Sequence, residues 1–199
     1  MLKLFTDMLS VALFVFLAEN TVFSGALGLG ESIRMAKKPR YLVMYSFWTG
    51  FFSLSVSSVC YIISRYTQVL TTKREFNVLI FTVVLTAVYL ISAFFCRFIL
   101  HADKKYMNSL GMCAFNGLVI ALPVLITEQS LSPASVIGLA LGSVAAFILS
   151  VLLINSALRH INRNRYIPAF FRGTPALFIY TSLIALSLSC ISGGSLFIS

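Results

Sequence analysis

One carboxylate, Glu19, stands in the middle of an apolar stretch of the chain. The residues on its two sides, Met8–Ala18 and Thr21–Gly30, are each about half as long as a membrane span. An ionised carboxylate at that depth is costly unless it is protonated, paired or in contact with water. Its natural roles are binding of a proton or cation, or capping of a broken helix. The alternative is that the span begins later and that Glu19 lies near the membrane surface.

Two asparagines, Asn20 and Asn116, occur in apolar surroundings where a helix could be interrupted. An asparagine side chain can bond the backbone groups that lose their partners at a break. It can equally join two continuous helices, and the sequence leaves both roles open. Together with Glu19, these asparagines and the glycines Gly25 and Gly117 form the predicted transport pathway or binding site.

Three glycines, Gly25, Gly28 and Gly30, follow Asn20 at short intervals. Small residues spaced in this way allow helices to approach closely in membranes, and this is the use that we expect first. An unwound binding loop is the second possibility.

Metal and thiol chemistry have little support in the sequence. The two histidines fall in predicted loops, and no His/Cys spacing typical of a metal site is present. We predict no catalytic residue, no disulfide and no metal site. The cysteines lie in apolar stretches, where a thiol is usually a packing residue, and none forms a CxxC pair; they are Cys60, Cys96, Cys113 and Cys190.

The composition places these residues in a lipid bilayer. Of the 199 residues, 59% are hydrophobic and 11% are charged, whereas about a quarter of a soluble domain is charged. This composition excludes a soluble globule and leaves no room for a separate catalytic domain.

The net charge of +9 fits Lys and Arg that flank membrane spans and contact anionic head groups. Without a basic face or a stacking motif, it does not indicate nucleic-acid binding.

Stretches without charge predict a single all-α membrane domain, 1–199, with six transmembrane helices. A repeat of three spans must place its second copy upside down, so we predict a 3+3 inverted repeat with halves of about 1–100 and 101–199. Spans one and four are the least regular, and interrupted helices at matching positions are typical of such proteins. The spans are Met8–Gly30, Tyr41–Ser64, Val78–Cys96, Tyr106–Thr127, Ala134–Leu158 and a last one after Arg172.

The distribution of Lys and Arg predicts the orientation. The loops after spans one, three and five carry eleven of these residues, against four on the other side. Because cytoplasmic loops are enriched in Lys and Arg, both termini are expected on the non-cytoplasmic side. The loop with Arg65, Lys73 and Arg74 is the exception to this pattern.

A distinctive segment, Tyr166–Gly173, leads into the last span. Pro168 ends any preceding helix, the aromatic residues suit a membrane interface, and Arg172 can reach head groups or helix C-termini. With Gly173, these residues form a predicted interface motif whose simplest role is anchoring.

Two stretches resemble the Rnf/Nqr membrane-subunit family. Ile167-Pro-Ala-Phe-Phe-Arg-Gly173, with Leu183–Leu188 and Ser192-Gly193, looks like the last span of that family. Asn20-Thr-Val-Phe-Ser-Gly-Ala-Leu-Gly-Leu-Gly30 is similar to its first span, and Lys37-Lys38 follows where the family often has Ser-Lys-Lys. The members are six-span subunits of the Rnf ferredoxin:NAD oxidoreductase and of the sodium-pumping NADH:quinone oxidoreductase. The resemblance covers essentially the whole chain.

The resemblance implies half-helices that meet near the bilayer centre and a location in the bacterial inner membrane. It also implies pairing with a second copy or with a related six-span subunit. In the family, a cysteine in span one and another in span four hold a [2Fe–2S] cluster between paired subunits. This chain has Gly30 and Gly117 at those positions, and Cys113 is the one weak substitute. A standard cluster needs four thiolates, so we expect no cofactor.

Two classes of function follow. One is a subunit of an ion-translocating electron-transport complex, without a cluster or a self-contained catalytic site. The other is a cluster-free relative that moves an ion or small molecule past Glu19, Asn20 and Asn116. A structural membrane protein without turnover is the third and weakest possibility.

Overall fold

The computed structural model describes residues 2–66, 74–98, 101, 103–128, 131–164, 166, 168–171 and 173–192. Every regular element in these ranges is helical. Short 3-10 turns at Pro39–Tyr41 and Ala169–Phe171 precede two of the helices. In chain order the helices are α1 Leu2–Leu17, α2 Thr21–Ser24, α3 Leu29–Ala36, α4 Leu42–Tyr66, α5 Arg74–Phe98, α6 Lys104–Ala114, α7 Gly117–Glu128, α8 Pro133–Arg163 and α9 Thr174–Ser192.

Four segments are long and apolar enough to cross a membrane, and they coincide with predicted spans two to five. They are Pro39–Arg65, Val78–Phe98, Tyr106–Thr127 and Pro133–Arg163. The sequence is therefore that of a membrane protein with several apolar helices. The first predicted span is divided among α1, α2 and α3, and α9 provides a shorter apolar helix, Thr174–Cys190.

Helix α8 is the central element of the fold. It packs against α1, α3 and α4, and more lightly against α2 and α9. Two glycines of α8, spaced four residues apart, let the backbone of α1 approach. A Cβ at Gly142 would lie 2.6 Å from the Ala12 carbonyl oxygen, and one at Gly138 would overlap the Met8 carbonyl oxygen. Close backbone approach through small residues is a common means of helix association in lipid.

Two similar sets of pairings each join the first half of the chain to the second. In one set, α1, α2 and α3 pack on α8, and α9 packs on α2. In the other set, α6 and α7 pack on α4, and α5 packs on α7. The helices α4 and α8 also pack on each other, with Gly50 facing Val144.

Large apolar side chains cover the outer surface. Helix α5 is the least enclosed of the four long segments, with 22% of its span buried against 56% for α8. Apolar exposure of this extent is unfavourable in water and neutral in hydrocarbon, so these faces suit contact with lipid. On α5 the exposed side chains include Leu79, Val83, Leu90, Ile91, Phe94, Phe95 and Phe98.

We expect Gly142→Ala to destabilise the fold, because its added methyl group meets the α1 backbone. Overpacking of this kind costs about 1–3 kcal/mol. Thermal unfolding in detergent, followed by size-exclusion chromatography, should show a lower midpoint. The matched control is Gly30→Ala, since a Cβ at Gly30 has no atom within 4 Å. Equal midpoints for the two variants would contradict the tight α1–α8 contact.

Candidate functional site

The first interruption of the helical chain is organised by Asn20. Helix α1 ends at Leu17, and its last turn widens so that the Glu19 amide donates to the Phe14 carbonyl at 3.0 Å. The Asn20 side-chain oxygen then accepts from the amides of Val22 at 3.1 Å and Phe23 at 3.3 Å. Asn20 is thus the N-cap of α2, and it satisfies amides that have no partner within the helix.

Asn20 also fastens the interruption to α8. Its side-chain nitrogen donates to the Ala146 carbonyl at 3.3 Å, and the Ser150 hydroxyl donates to its side-chain oxygen at 3.2 Å. The Ser150 hydroxyl also lies 2.8 Å from the Ala146 carbonyl. Asn20 is 1% exposed. Of the two roles that the sequence left open, this asparagine therefore performs both, as a cap and as a link between helices.

Between α2 and α3 the chain passes through two residues in left-handed conformations. Ala26 has φ 54° and Gly28 has φ 73°. Gly25 belongs to this turn, because a Cβ there would lie 3.1 Å from both Thr21 O and Leu27 Cγ. Gly25 thus shapes the unwound segment between α2 and α3.

The second interruption lies halfway along the predicted fourth span. Helix α6 ends at Ala114, and α7 begins at Gly117. The Asn116 side-chain oxygen accepts from the Leu118 amide at 3.2 Å, just as Asn20 accepts from the amide two residues after it. Asn116 is 0% exposed, and its side-chain nitrogen has no hydrogen-bond partner in the described part of the chain. Pro123 lies inside α7, and the helix continues through it.

The two interruptions touch each other. A Cβ at Gly28 would lie 2.7 Å from the Asn116 side-chain oxygen, and one at Gly117 would lie 3.2 Å from the Gly28 nitrogen. Gly28 therefore has to be glycine both for its φ angle and for the space that Asn116 occupies. The structure thus brings Asn116 and Gly117 together with the glycine segment after Asn20.

Glu19 is half-buried at the end of α1. Its carboxylate forms no hydrogen bond or ion pair with the described residues. It immediately precedes the Asn20 cap, so any charge on it acts next to the backbone amides at the start of α2.

A row of hydroxyl groups that is not among the predicted site residues lies on α4. Ser46, Ser53 and Ser57 share one stripe of the helix, and all three are buried. Their oxygens have no hydrogen-bond partner among the described residues, and the same holds for Ser143 on α8. Intervals of seven and four residues would have revealed this stripe. Ser53 lies near the middle of the membrane-length helix α4.

A charged cluster lies on α3, which forms where the sequence predicts a loop after the first span. Glu31 and Arg34 form an ion pair at 2.5 Å. The buried Tyr45 hydroxyl lies 3.0 Å from the Met112 carbonyl oxygen and 3.4 Å from the Glu31 carboxylate. The cluster therefore joins α3 to α4 and to the end of α6. The i, i+3 spacing of opposite charges was the available signal for a helix here.

The cysteines do not form a group of metal ligands in the part of the chain that the structure describes. Cys60, Cys96 and Cys113 are buried, and Cys190 is exposed. Cys113 lies on α6 beside the Thr49 side chain. Within the described ranges, no three His, Cys, Asp or Glu side chains are close enough to hold a metal ion.

The predicted interface motif leads into α9. Pro168 precedes the short turn Ala169–Phe171, and Gly173 adopts φ 87° just before α9. Arg172 lies outside the described residues. Tyr166 and Phe170 are 96% and 84% exposed, as expected for aromatic residues at a membrane interface.

No protein-family model matches this chain, and no curated protein matches it.

We expect Asn20→Ala to lower the free energy of unfolding by about 1–3 kcal/mol, because buried amides lose their acceptor. The midpoint of thermal unfolding should fall by about 2–4 °C per kcal/mol. Asn108→Ala is the matched control, since Asn108 is exposed on α6. A midpoint for Asn20→Ala that equals that of the control would show that the cap is dispensable.

Proposed function

We propose that this protein is a transporter or channel-like subunit that moves a small ion or polar solute across a membrane. The observation that carries the proposal is the contact between two interrupted helices, Gly28 against Asn116, at the middle of a membrane-length segment. A helix that only anchors a protein is more stable when it is continuous, because a break leaves backbone groups without partners in lipid. Two breaks in contact therefore indicate a function other than anchoring.

Buried polar groups at the second interruption and on α4 and α8 support the same conclusion. The Asn116 side-chain nitrogen and the hydroxyls of Ser53 and Ser143 have no partner among the described residues. An unsatisfied polar group in an apolar interior costs about 1–3 kcal/mol. Water, an ion or a polar solute would supply the missing partners, and a pathway would supply the water.

A 3+3 inverted repeat is the architecture that we propose for the complete chain. Three parallels support it: Asn20 and Asn116 accept from the amide two residues on, α1 packs on α8 as α6 packs on α4, and α9 packs on α2 as α5 packs on α7. In this arrangement α1–α3 and α9 are the first and sixth spans. Transporters of this type bind their substrate between the interrupted helices of the two halves.

The resemblance to the Rnf/Nqr membrane subunits supports a second candidate, a subunit of an ion-translocating electron-transport complex. With this candidate we propose a bacterial inner membrane location and pairing with a second copy or with a related six-span subunit. The non-cytoplasmic termini that we propose rest on the distribution of Lys and Arg. The site favours a subunit without its own cluster, because Gly117 packs on the Gly28 backbone and Gly30 takes the other ligand position. Cys113 alone could supply a thiolate nearby.

We expect Glu19→Gln to abolish proton- or cation-coupled flux in proteoliposomes, because an amide cannot exchange a proton or neutralise a cation. Flux is read with an internal pH-sensitive dye after a Na⁺ or K⁺ gradient is imposed. Asp103→Asn is the matched control, since Asp103 is an exposed carboxylate before α6. Unchanged flux in Glu19→Gln would remove this residue from the mechanism.

Iron analysis and visible absorption of the purified protein separate the two candidates. We expect no stoichiometric iron and no [2Fe–2S] absorption. A cluster that is lost in Cys113→Ser would overturn the transport proposal and establish the redox one.

A further inference from the structure

A second polar site lies at the end of the bundle, away from the two interruptions. It is a cavity of about 380 Å³ between the end of α3, the last turns of α8 and the beginning of α9. Two of its lining residues, Lys37 and Arg159, are cationic, and its described lining contains no carboxylate. The cavity therefore has the charge that attracts an anion.

Arg159 is held in place by a network of buried groups. Asn155, which is 8% exposed, donates from its side-chain nitrogen to the Ala36 carbonyl at 2.5 Å. Its side-chain oxygen accepts from Arg159 Nε at 2.9 Å and also from a terminal guanidinium nitrogen. Asn155 thus fixes the guanidinium at the cavity while joining α8 to α3. A guanidinium held in this way loses little conformational freedom when it binds an anion.

The position of the cavity matches the head-group layer of a membrane. Helix α8 has 31 residues and is about 46 Å long, which exceeds the hydrocarbon thickness. Its last turns, where Arg159 lies, therefore emerge from the apolar layer. The exposed Tyr166 and Phe170 follow within the same segment of chain. Thr174, at the start of apolar α9, also lines the cavity.

From these observations we propose that the cavity binds a phosphate-bearing anion through Lys37 and Arg159. Guanidinium and ammonium groups both bind phosphate oxygens, and the guanidinium adds a directional pair of donors. Asn162 and Thr174 provide neutral polar groups in the same lining. The phosphate is either the head group of an anionic lipid or a free anion from the aqueous phase.

The test measures binding to the complete protein in zwitterionic nanodiscs. One arm titrates phosphatidylglycerol and counts bound lipids by native mass spectrometry, and the other titrates inorganic phosphate by calorimetry. Lys37→Gln and Arg159→Gln should each weaken binding about tenfold, the loss of one charge-assisted contact. Arg40→Gln is the matched control, because Arg40 is exposed near Lys37 but does not line the cavity.

Each outcome has a definite meaning. Selective loss of lipid binding identifies a lipid head group, and selective loss of inorganic phosphate binding identifies a free anion. Equal losses in all three variants would reveal general attraction to surface charge and would overturn the proposal. Absence of binding in both arms would overturn it as well. Thermal unfolding of each variant establishes that the protein is folded.

Discussion

The structure depends on how backbone hydrogen bonds are satisfied where two helices stop inside an apolar protein. A continuous helix pairs its own amides and carbonyls, and a break exposes both. In this chain an asparagine at each break accepts from the amide two residues further on, Val22 after Asn20 and Leu118 after Asn116. The side-chain amide thus replaces the water that would satisfy these groups elsewhere.

This constraint governs the packing around it. Because Asn20 must also reach Ala146 and Ser150, α1 and α2 lie directly against α8. The glycines of α8 at 138 and 142 allow that approach. Gly28 likewise allows a close approach, in this case by Asn116. Any side chain at position 28 would separate the two breaks. Small residues, polar caps and helix breaks therefore form one arrangement, and the outer apolar faces are left to the lipid.

The sequence predicted the helical class and the four membrane-length segments. A charge-free stretch of about 20 residues is long enough to cross the bilayer as a helix and too apolar to lie on the surface of a soluble protein. Asn20 and Asn116 also marked the positions of both interruptions. The contact between Gly28 and Asn116 could not be read in advance, because it depends on how helices distant in sequence cross. The hydroxyl row on α4 was missed because serines between apolar residues do not reduce hydropathy enough to stand out.

The central claim is that water reaches the buried hydroxyl groups of α4 and α8, the helices on which the two interrupted segments pack. Thiol accessibility tests it most directly, in right-side-out and in inside-out membrane vesicles labelled separately, and in a background with the four native cysteines replaced. We predict that Ser53→Cys and Ser143→Cys react with a membrane-impermeant thiol reagent, whereas Leu79→Cys, on the exposed apolar face of α5, does not. If neither serine position reacts while His101→Cys, exposed outside the helices, is labelled, the proposed pathway does not exist.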